Sequence, residues 1–260
     1  MGELFKPFPK ERETFLKNLY RYSAFDLMFY RHNLWDHCQR VSWLVEELEP
    51  VVRTYYKKYD AERARITALM HDDAERFTGD IQARVKARAS KHAESRMDKD
   101  EEKAVEELAA ISPRMVGKYR YKDLLMEMVE RKTLEPQIVT YADKLDAFCE
   151  SLHEVLAGNF SHIQTLLYYP RAIAFLDRKY PYLTPILQDR SSEFTDLERF
   201  LDKVHVKSKT YAPFRKPFTA RNVTVPSTIP FYDAWRKLVL KRGGREGMRM
   251  LTKQTEFLPR

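Results

Sequence analysis

The chain has 260 residues, 43% of them hydrophobic and only seven of them glycine, a composition typical of a soluble, mostly helical protein with one sizeable core. No apolar run approaches the about 20 residues of a membrane span, the N-terminus has no apolar signal core, and two cysteines exclude a disulfide framework, so we expect a cytoplasmic protein. The formal net charge of +8 arises in residues 161–260, which hold 19 Lys and Arg against 9 Asp and Glu.

Apolar residues at helical spacing predict a helix or a helix pair over residues 10–31, and helices over residues 34–48 and 60–76. His37 lies four residues before Val41, so it should face inward with the apolar side of the second helix. Pro50 should end or bend that helix, because proline removes a backbone donor. Asp60 is the expected N-cap of the third helix, which carries His71–Asp72 near its C-terminal end.

Further helices are predicted over residues 98–108, 120–131, 137–156, 171–180, 192–204 and 232–241, with residues 221–228 extended. In the long helix 137–156, an ideal wheel places Asp143 away from the apolar stripe. Three more acidic residues share that row: Asp146, Glu150 and Glu154. Periodicity alone therefore predicts that Asp143 is solvated.

The composition changes near Tyr169–Pro170, where prolines and basic residues become frequent. We expect a first domain over residues 1–168 and a basic, partly helical extension over residues 169–260. The positive charge of this extension leaves two interpretations open, an anionic partner such as nucleic acid or a solvated tail. We do not favour nucleic acid.

Two imidazoles and two carboxylates from three separate helices form a candidate metal site: His37, His71, Asp72 and Asp143. This donor set suits one borderline divalent transition metal such as Mn, Co, Fe, Ni or Zn. Such a metal lowers the pKa of its water and polarises a phosphoryl oxygen. Glu75, one helical turn beyond His71 in the predicted helix, could hold or deprotonate the water. Arg21 could neutralise the charge of a phosphate.

Each of these residues also fits a structural role when it is considered alone. A histidine on an apolar helix face is more often a core residue than a ligand. A histidine near a helix C-terminus is favoured by the helix dipole, and a single aspartate on a helix is usually solvated. Spacing alone therefore leaves both interpretations open.

Four segments carry a more specific pattern: Arg21-Tyr22-Ser23, Asn33-Leu34-Trp35-Asp36-His37-Cys38, His71-Asp72-Asp73-Ala74-Glu75-Arg76-Phe77-Thr78-Gly79-Asp80 and Tyr141-Ala142-Asp143-Lys144-Leu145-Asp146-Ala147-Phe148. They resemble the H…HD…D signature of the HD-domain phosphohydrolases, and in particular their YfbR-like 5′-deoxynucleotidase branch. That branch reads Arg-(aromatic)-Ser, N-x-x-E-H-S, H-D-A-S-E-x-x-T-G-D and A-D-x-L-x-A-(aromatic). The resemblance covers roughly residues 15–165.

The resemblance implies an all-α fold, an HD-domain helical bundle that is often dimeric, and a preference for deoxynucleotides as substrates. In this chain we expect a basic, Pro-containing C-terminal extension after the bundle. It implies that four residues bind the metal ion: His37, His71, Asp72 and Asp143. The catalytic set is Glu75, Asp72 and Arg21, and the residues expected to contact the nucleotide substrate are Arg21, Tyr22, Asp80, Arg84 and Lys86. Asp80 would reach the sugar.

The chain departs from the family pattern after Asp80. The family continues D-L-P-T-P-V-K, whereas this chain reads Asp80-Ile81-Gln82-Ala83-Arg84-Val85-Lys86, which loses both prolines and adds a cation. Three functions therefore stay open: removal of the 5′-phosphate from deoxynucleoside monophosphates, which we prefer; dNTP triphosphohydrolysis at the same site; and a non-catalytic nucleotide- or nucleic-acid-binding module.

His92 is the only further histidine between His71 and Asp143, which favours one metal ion over two.

Overall fold

A computed structural model describes residues 10–21, 30, 32–79, 89–156, 159, 162–189 and 230–252. Over these residues the chain is almost entirely α-helical, which confirms the all-α prediction. The elements are α1 (Lys10–Asn18), α2 (Leu34–Tyr55), α3 (Ala61–Met70), α4 (Glu75–Thr78), α5 (Lys91–Ile111), β1 (Met115–Val116), β2 (Tyr119–Arg120), α6 (Tyr121–Glu130), α7 (Leu134–Leu156), α8 (Ile163–Lys179), α9 (Thr184–Asp189) and α10 (Pro230–Thr252). None of the described helices is long and apolar enough to cross a membrane.

The described residues divide into two compact units. The first takes residues within Met1–Ser23 and His32–Ala142, and the second takes residues within Ala24–Arg31 and Asp143–Arg260. The predicted boundary between residues 168 and 169 falls inside the continuous helix α8. The division into domains 1–168 and 169–260 stays a prediction.

The core of the first unit is built from α3, α5, α6 and the short hairpin. Its buried members are Ile66, Leu69, Met70, Ala74, Ala104, Val105, Leu108, Val116, Tyr119, Tyr121, Leu124 and Leu125. Helix α2 packs along α3. Both His37 and Val41 on α2 are fully buried, so the prediction that this histidine faces inward is confirmed.

Helix α2 does not end at Pro50, one of the two outcomes that the sequence predicted, but continues to Tyr55. Proline removes one donor from the helix, and here the ring lies on the exposed side of α2. The hydroxyl of Thr54 donates to the Pro50 carbonyl at 3.1 Å, which adds a side-chain bond to the last turn. One lost backbone bond therefore does not stop the helix.

The predicted helix over residues 60–76 is three elements in the structure. Asp60 caps α3 as expected, because its carboxylate accepts a bond from the Arg63 backbone N–H at 3.0 Å. The helix ends at Met70, whose carbonyl accepts from the Asp73 N–H in a tight turn. After this turn comes the short α4, which ends at Gly79 with a positive φ of 72°.

Other bounds also differ from the prediction. Helix α1 ends at Asn18, and Tyr20 pairs with Asn33 in an isolated antiparallel bridge instead of continuing the helix. Helix α5 begins at Lys91 rather than residue 98, because the Ser90 hydroxyl caps it by accepting from the Ala93 N–H at 3.2 Å. The predicted helix 192–204 and the extended residues 221–228 lie outside the described residues.

The wheel neighbours of Asp143 on α7 are buried, and Asp143 itself is half-buried, so the prediction that Asp143 is solvated is wrong. Asp146, Glu150 and Glu154 are all inaccessible to solvent. The indole of Trp235 donates to Asp146 Oδ1 at 2.6 Å, and the amide of Asn159 donates to Glu154 Oε2 at 2.8 Å. Periodicity misplaces these residues because hydrogen-bond donors from outside α7, which a helical wheel does not include, replace water around the carboxylates.

We predict that Trp235→Phe destabilises the protein more than Trp43→Phe does. Both indoles are buried, but among the described residues the Trp43 nitrogen has no hydrogen-bond partner, whereas the Trp235 nitrogen donates to a buried carboxylate. The difference in free energy of unfolding, measured by urea denaturation, should be about 1–3 kcal/mol. Equal losses for the two variants would show that the bond to Asp146 contributes nothing beyond packing.

Candidate metal centre

Three of the four predicted ligands lie together in the first unit. His37 is in the first turn of α2, while His71 and Asp72 open the turn after α3, so the packing of α2 along α3 brings them into contact. Nε2 of His37 lies 3.4 Å from Oδ2 of Asp72, and Nε2 of His71 lies 3.2 Å from Oδ1 of the same carboxylate. One donor atom from each residue lies within 4.8 Å of the other two.

These separations suit a single ion. Two ligands that are each about 2.1 Å from one metal lie roughly 3.0–3.4 Å apart in octahedral or tetrahedral geometry. Both contacts of the Asp72 carboxylate fall close to that range. His37 is inaccessible to solvent and the side chain of Asp72 is 17% exposed, so the cluster is shielded yet open on the carboxylate side.

The hydrogen bond of the His71 ring determines which nitrogen can ligate. Nδ1 lies 2.7 Å from the carbonyl oxygen of Ala68, so Nδ1 carries the hydrogen. Nε2 then has a lone pair, and among the described residues it has no hydrogen-bond partner. That lone pair faces a carboxylate oxygen of Asp72 at 3.2 Å, an arrangement that a cation between the two atoms would stabilise.

Arg21 contacts the second nitrogen of the His37 ring, Nδ1. Its guanidinium is 3.1 Å from Nδ1 of His37, and both side chains are buried. Because arginine only donates, Nδ1 of His37 accepts this bond, and the neutral ring then carries its hydrogen on Nε2. Ligation through Nε2 moves that hydrogen to Nδ1, so metal binding by His37 and the bond from Arg21 exclude each other.

The remaining predicted residues are placed less completely. Glu75 is half-buried at the start of α4, and its N–H donates to the Asp72 carbonyl at 3.0 Å. Asp143 is half-buried on the part of α7 in the second unit, where it pairs with Lys144, and its place as the fourth ligand stays a prediction. Four residues expected to contact substrate lie outside the described residues: Tyr22, Asp80, Arg84 and Lys86.

Sequence reasoning missed a buried group directly beside the ligands. Asp73 is 3% exposed and accepts bonds from Arg12 on α1 and from Tyr121 on α6. Burial lowers the pKa of Arg12, but Asp73 more than offsets this and holds it above its ordinary value. Burial, and then the nearby Asp73, raise the pKa of Tyr121, so it remains a phenol that can donate. One feature of the sequence could have pointed to this buried group: Asp73 is a charged residue at a position where the family motif has alanine.

The fold is similar to three solved structures at low sequence identity. A protein described as an HD-domain phosphohydrolase from Listeria innocua matches with a TM-score of 0.56 and 21% identity, covering 78% of this chain and 97% of that one. A Pyrococcus horikoshii protein matches with a TM-score of 0.52 and 23% identity over 70% and 97% of the two chains. A conserved hypothetical protein from Pyrococcus furiosus matches with a TM-score of 0.51 and 20% identity over 73% and 98%.

The likeness to these structures shows the class of fold, an all-α fold, and in this chain a His…His-Asp cluster lies between packed helices of that fold. The sequence places the chain more finely, because the family model described as 5′-deoxynucleotidase YfbR-like matches residues 14–176. The chain belongs to this family and is a metal-dependent phosphohydrolase, which confirms the predicted family and enzyme class. The comparison with curated proteins finds no match.

Proposed function

We propose that the protein removes the 5′-phosphate from deoxynucleoside monophosphates, with a metal ion held by His37, His71, Asp72 and Asp143. Family membership supports the nucleotide substrate. The observation that carries the metal site is the buried Nε2 lone pair of His71, which faces a carboxylate oxygen of Asp72 at 3.2 Å. A cation shared by these two atoms would stabilise their arrangement.

Two imidazoles with carboxylates favour a borderline transition metal, such as Mn, Co, Fe, Ni or Zn, over magnesium or calcium, which prefer oxygen ligands alone. When bound, such a metal supplies a water of lowered pKa and polarises a phosphoryl oxygen. The chain supplies a shielded cluster whose ligands come from separate segments. Their packing fixes the donor positions before the ion arrives.

Arg21 is the proposed phosphate-binding residue. Its guanidinium lies 3.1 Å from Nδ1 of His37, beside the proposed metal site. From this position it can donate to the non-bridging oxygens of a phosphate, because a guanidinium carries several N–H donors. Its positive charge would offset the negative charge that develops on these oxygens in the transition state.

Glu75 is the proposed general base. It is the first residue of α4, four positions after His71, and it is half-buried next to the ligand-bearing turn. In the proposed reaction a water oxygen bonds to phosphorus as the bond from phosphorus to the 5′-oxygen breaks. Glu75 accepts the proton from that water and returns it to the departing 5′-oxygen, so the products are a deoxynucleoside and inorganic phosphate.

We predict that metal removal and ligand substitution abolish phosphate release to a similar extent. EDTA should stop the release of phosphate from deoxynucleoside monophosphates, and Mn²⁺ or Co²⁺ should restore it. His71→Ala and Asp72→Asn should each lower the rate by at least about a hundredfold, because they remove a direct ligand. His92→Ala, which changes an exposed histidine on α5, is the matched control and should retain full activity.

Activity that survives His71→Ala or Asp72→Asn would show that the chemistry takes place elsewhere. Loss of activity in the His92→Ala control would show that the assay responds to general damage rather than to loss of a ligand.

We further predict that a panel of substrates distinguishes the proposed reaction from its rival. The protein should release inorganic phosphate from deoxynucleoside monophosphates faster than from ribonucleoside monophosphates. It should release no tripolyphosphate from dNTPs, as resolved by ion-exchange chromatography. Tripolyphosphate from dNTPs without turnover of any monophosphate would assign the triphosphohydrolase reaction instead.

A further inference from the structure

Asp73 lies in the turn that carries two proposed metal ligands, and its side chain is held on both oxygens. Arg12 donates from its Nε to Oδ2 at 2.8 Å and from a terminal nitrogen to Oδ1 at 2.7 Å. The hydroxyl of Tyr121 donates to Oδ2 at 2.7 Å. We refer to Arg12, Asp73 and Tyr121 as the clamp. It joins α1, the turn and α6.

The clamp also holds the end of the helix that precedes the turn. Arg12 donates to the carbonyl oxygen of Leu69 at 2.7 Å, one of the last carbonyls of α3 that have no partner within the helix. All three side chains of the clamp are buried, with exposures of 9%, 3% and 1% in chain order. A bidentate guanidinium–carboxylate pair in this setting restricts both partners to one geometry.

The position of Asp72 depends on the same backbone. Asp72 and Asp73 share a peptide bond, and the Asp73 N–H bonds to the Met70 carbonyl at 2.9 Å. The carboxylate of Asp72 contacts both imidazoles, so a small rotation of the turn would change both distances together. Fixing the side chain of Asp73 therefore fixes the direction in which Asp72 points.

We propose that Asp73, held by Arg12 and Tyr121, is a positioning residue that orients His71 and Asp72 for metal binding. This inference rests on the proposed function, because it assumes that these two residues are ligands. The family motif has alanine in place of Asp73, so the clamp is a feature of this chain. Its alternative role is purely structural, in which case its loss would lower stability without changing metal affinity.

The test measures Mn²⁺ affinity in the full chain by isothermal titration calorimetry. Asp73→Asn keeps the shape of the side chain but removes the charge that pairs with Arg12, and it should weaken Mn²⁺ binding about tenfold. Tyr121→Phe removes one hydroxyl from the clamp and should weaken binding to a smaller extent. Saturating Mn²⁺ should restore most of the phosphate release of Asp73→Asn, since its catalytic groups are intact.

Asp60→Asn is the matched control. The Asp60 carboxylate also accepts a tyrosine hydroxyl, from Tyr119 at 2.8–2.9 Å, and it caps the opposite end of α3. This substitution should cost comparable stability in the same helix, yet leave the turn and its Mn²⁺ affinity unchanged. A loss of affinity in Asp73→Asn that exceeds the loss in Asp60→Asn supports positioning.

The outcomes separate this inference from the proposed function. If the wild type binds Mn²⁺ and loses it in His71→Ala, while Asp73→Asn binds as tightly as the wild type, positioning by Asp73 is refuted and the metal site stands. If the wild type binds no Mn²⁺, both the proposed metal site and the positioning role of Asp73 are refuted. If Asp73→Asn does not fold, Tyr121→Phe decides, and unchanged affinity in that variant refutes the inference.

Discussion

Two histidine rings and a carboxylate converge in the first unit with donor atoms facing one another. The lone pair of His71 Nε2 and the Asp72 oxygen that lies 3.2 Å from it repel unless a positive charge lies between them, because little water is present in a shielded interior to screen the repulsion. His71 is committed to this arrangement by its bond to the Ala68 carbonyl, which leaves only Nε2 for a metal. The surrounding structure brings these groups together. His37 comes from α2, and His71 and Asp72 come from the turn after α3. The guanidinium of Arg21 contacts Nδ1 of His37.

Buried charged side chains occur in both units. In the first, the pair formed by Arg12 and Asp73 joins an N-terminal helix to the ligand-bearing turn. In the second, Asp146 and Glu154 are inaccessible to solvent and accept bonds from an indole and an amide. Buried ionic groups add little net stability compared with apolar residues of the same size, but they impose one geometry, which a metal site requires.

Much of this could be predicted from local pattern. The helical period placed His37 on the buried side of α2. The motifs around His37, His71–Asp72 and Asp143 identified the family, and the predicted extent of residues 15–165 lies within the matched residues 14–176. What escaped prediction depends on contacts between distant residues. Nothing in the periodicity of α7 shows that its acidic row is buried, because the donors to that row come from outside the helix. Likewise Arg12 lies 61 positions before Asp73, so no local pattern could have joined them.

The most direct test of the central claim is diffraction at the manganese absorption edge from crystals grown with Mn²⁺. We predict one anomalous peak within bonding distance of Nε2 of His37, Nε2 of His71 and the Asp72 carboxylate, with Asp143 as the fourth protein ligand and Arg21 released from His37. A peak that contacts neither His71 nor Asp72, or no peak from crystals of a protein that hydrolyses its substrate with Mn²⁺, would contradict the assignment of this cluster as the metal centre.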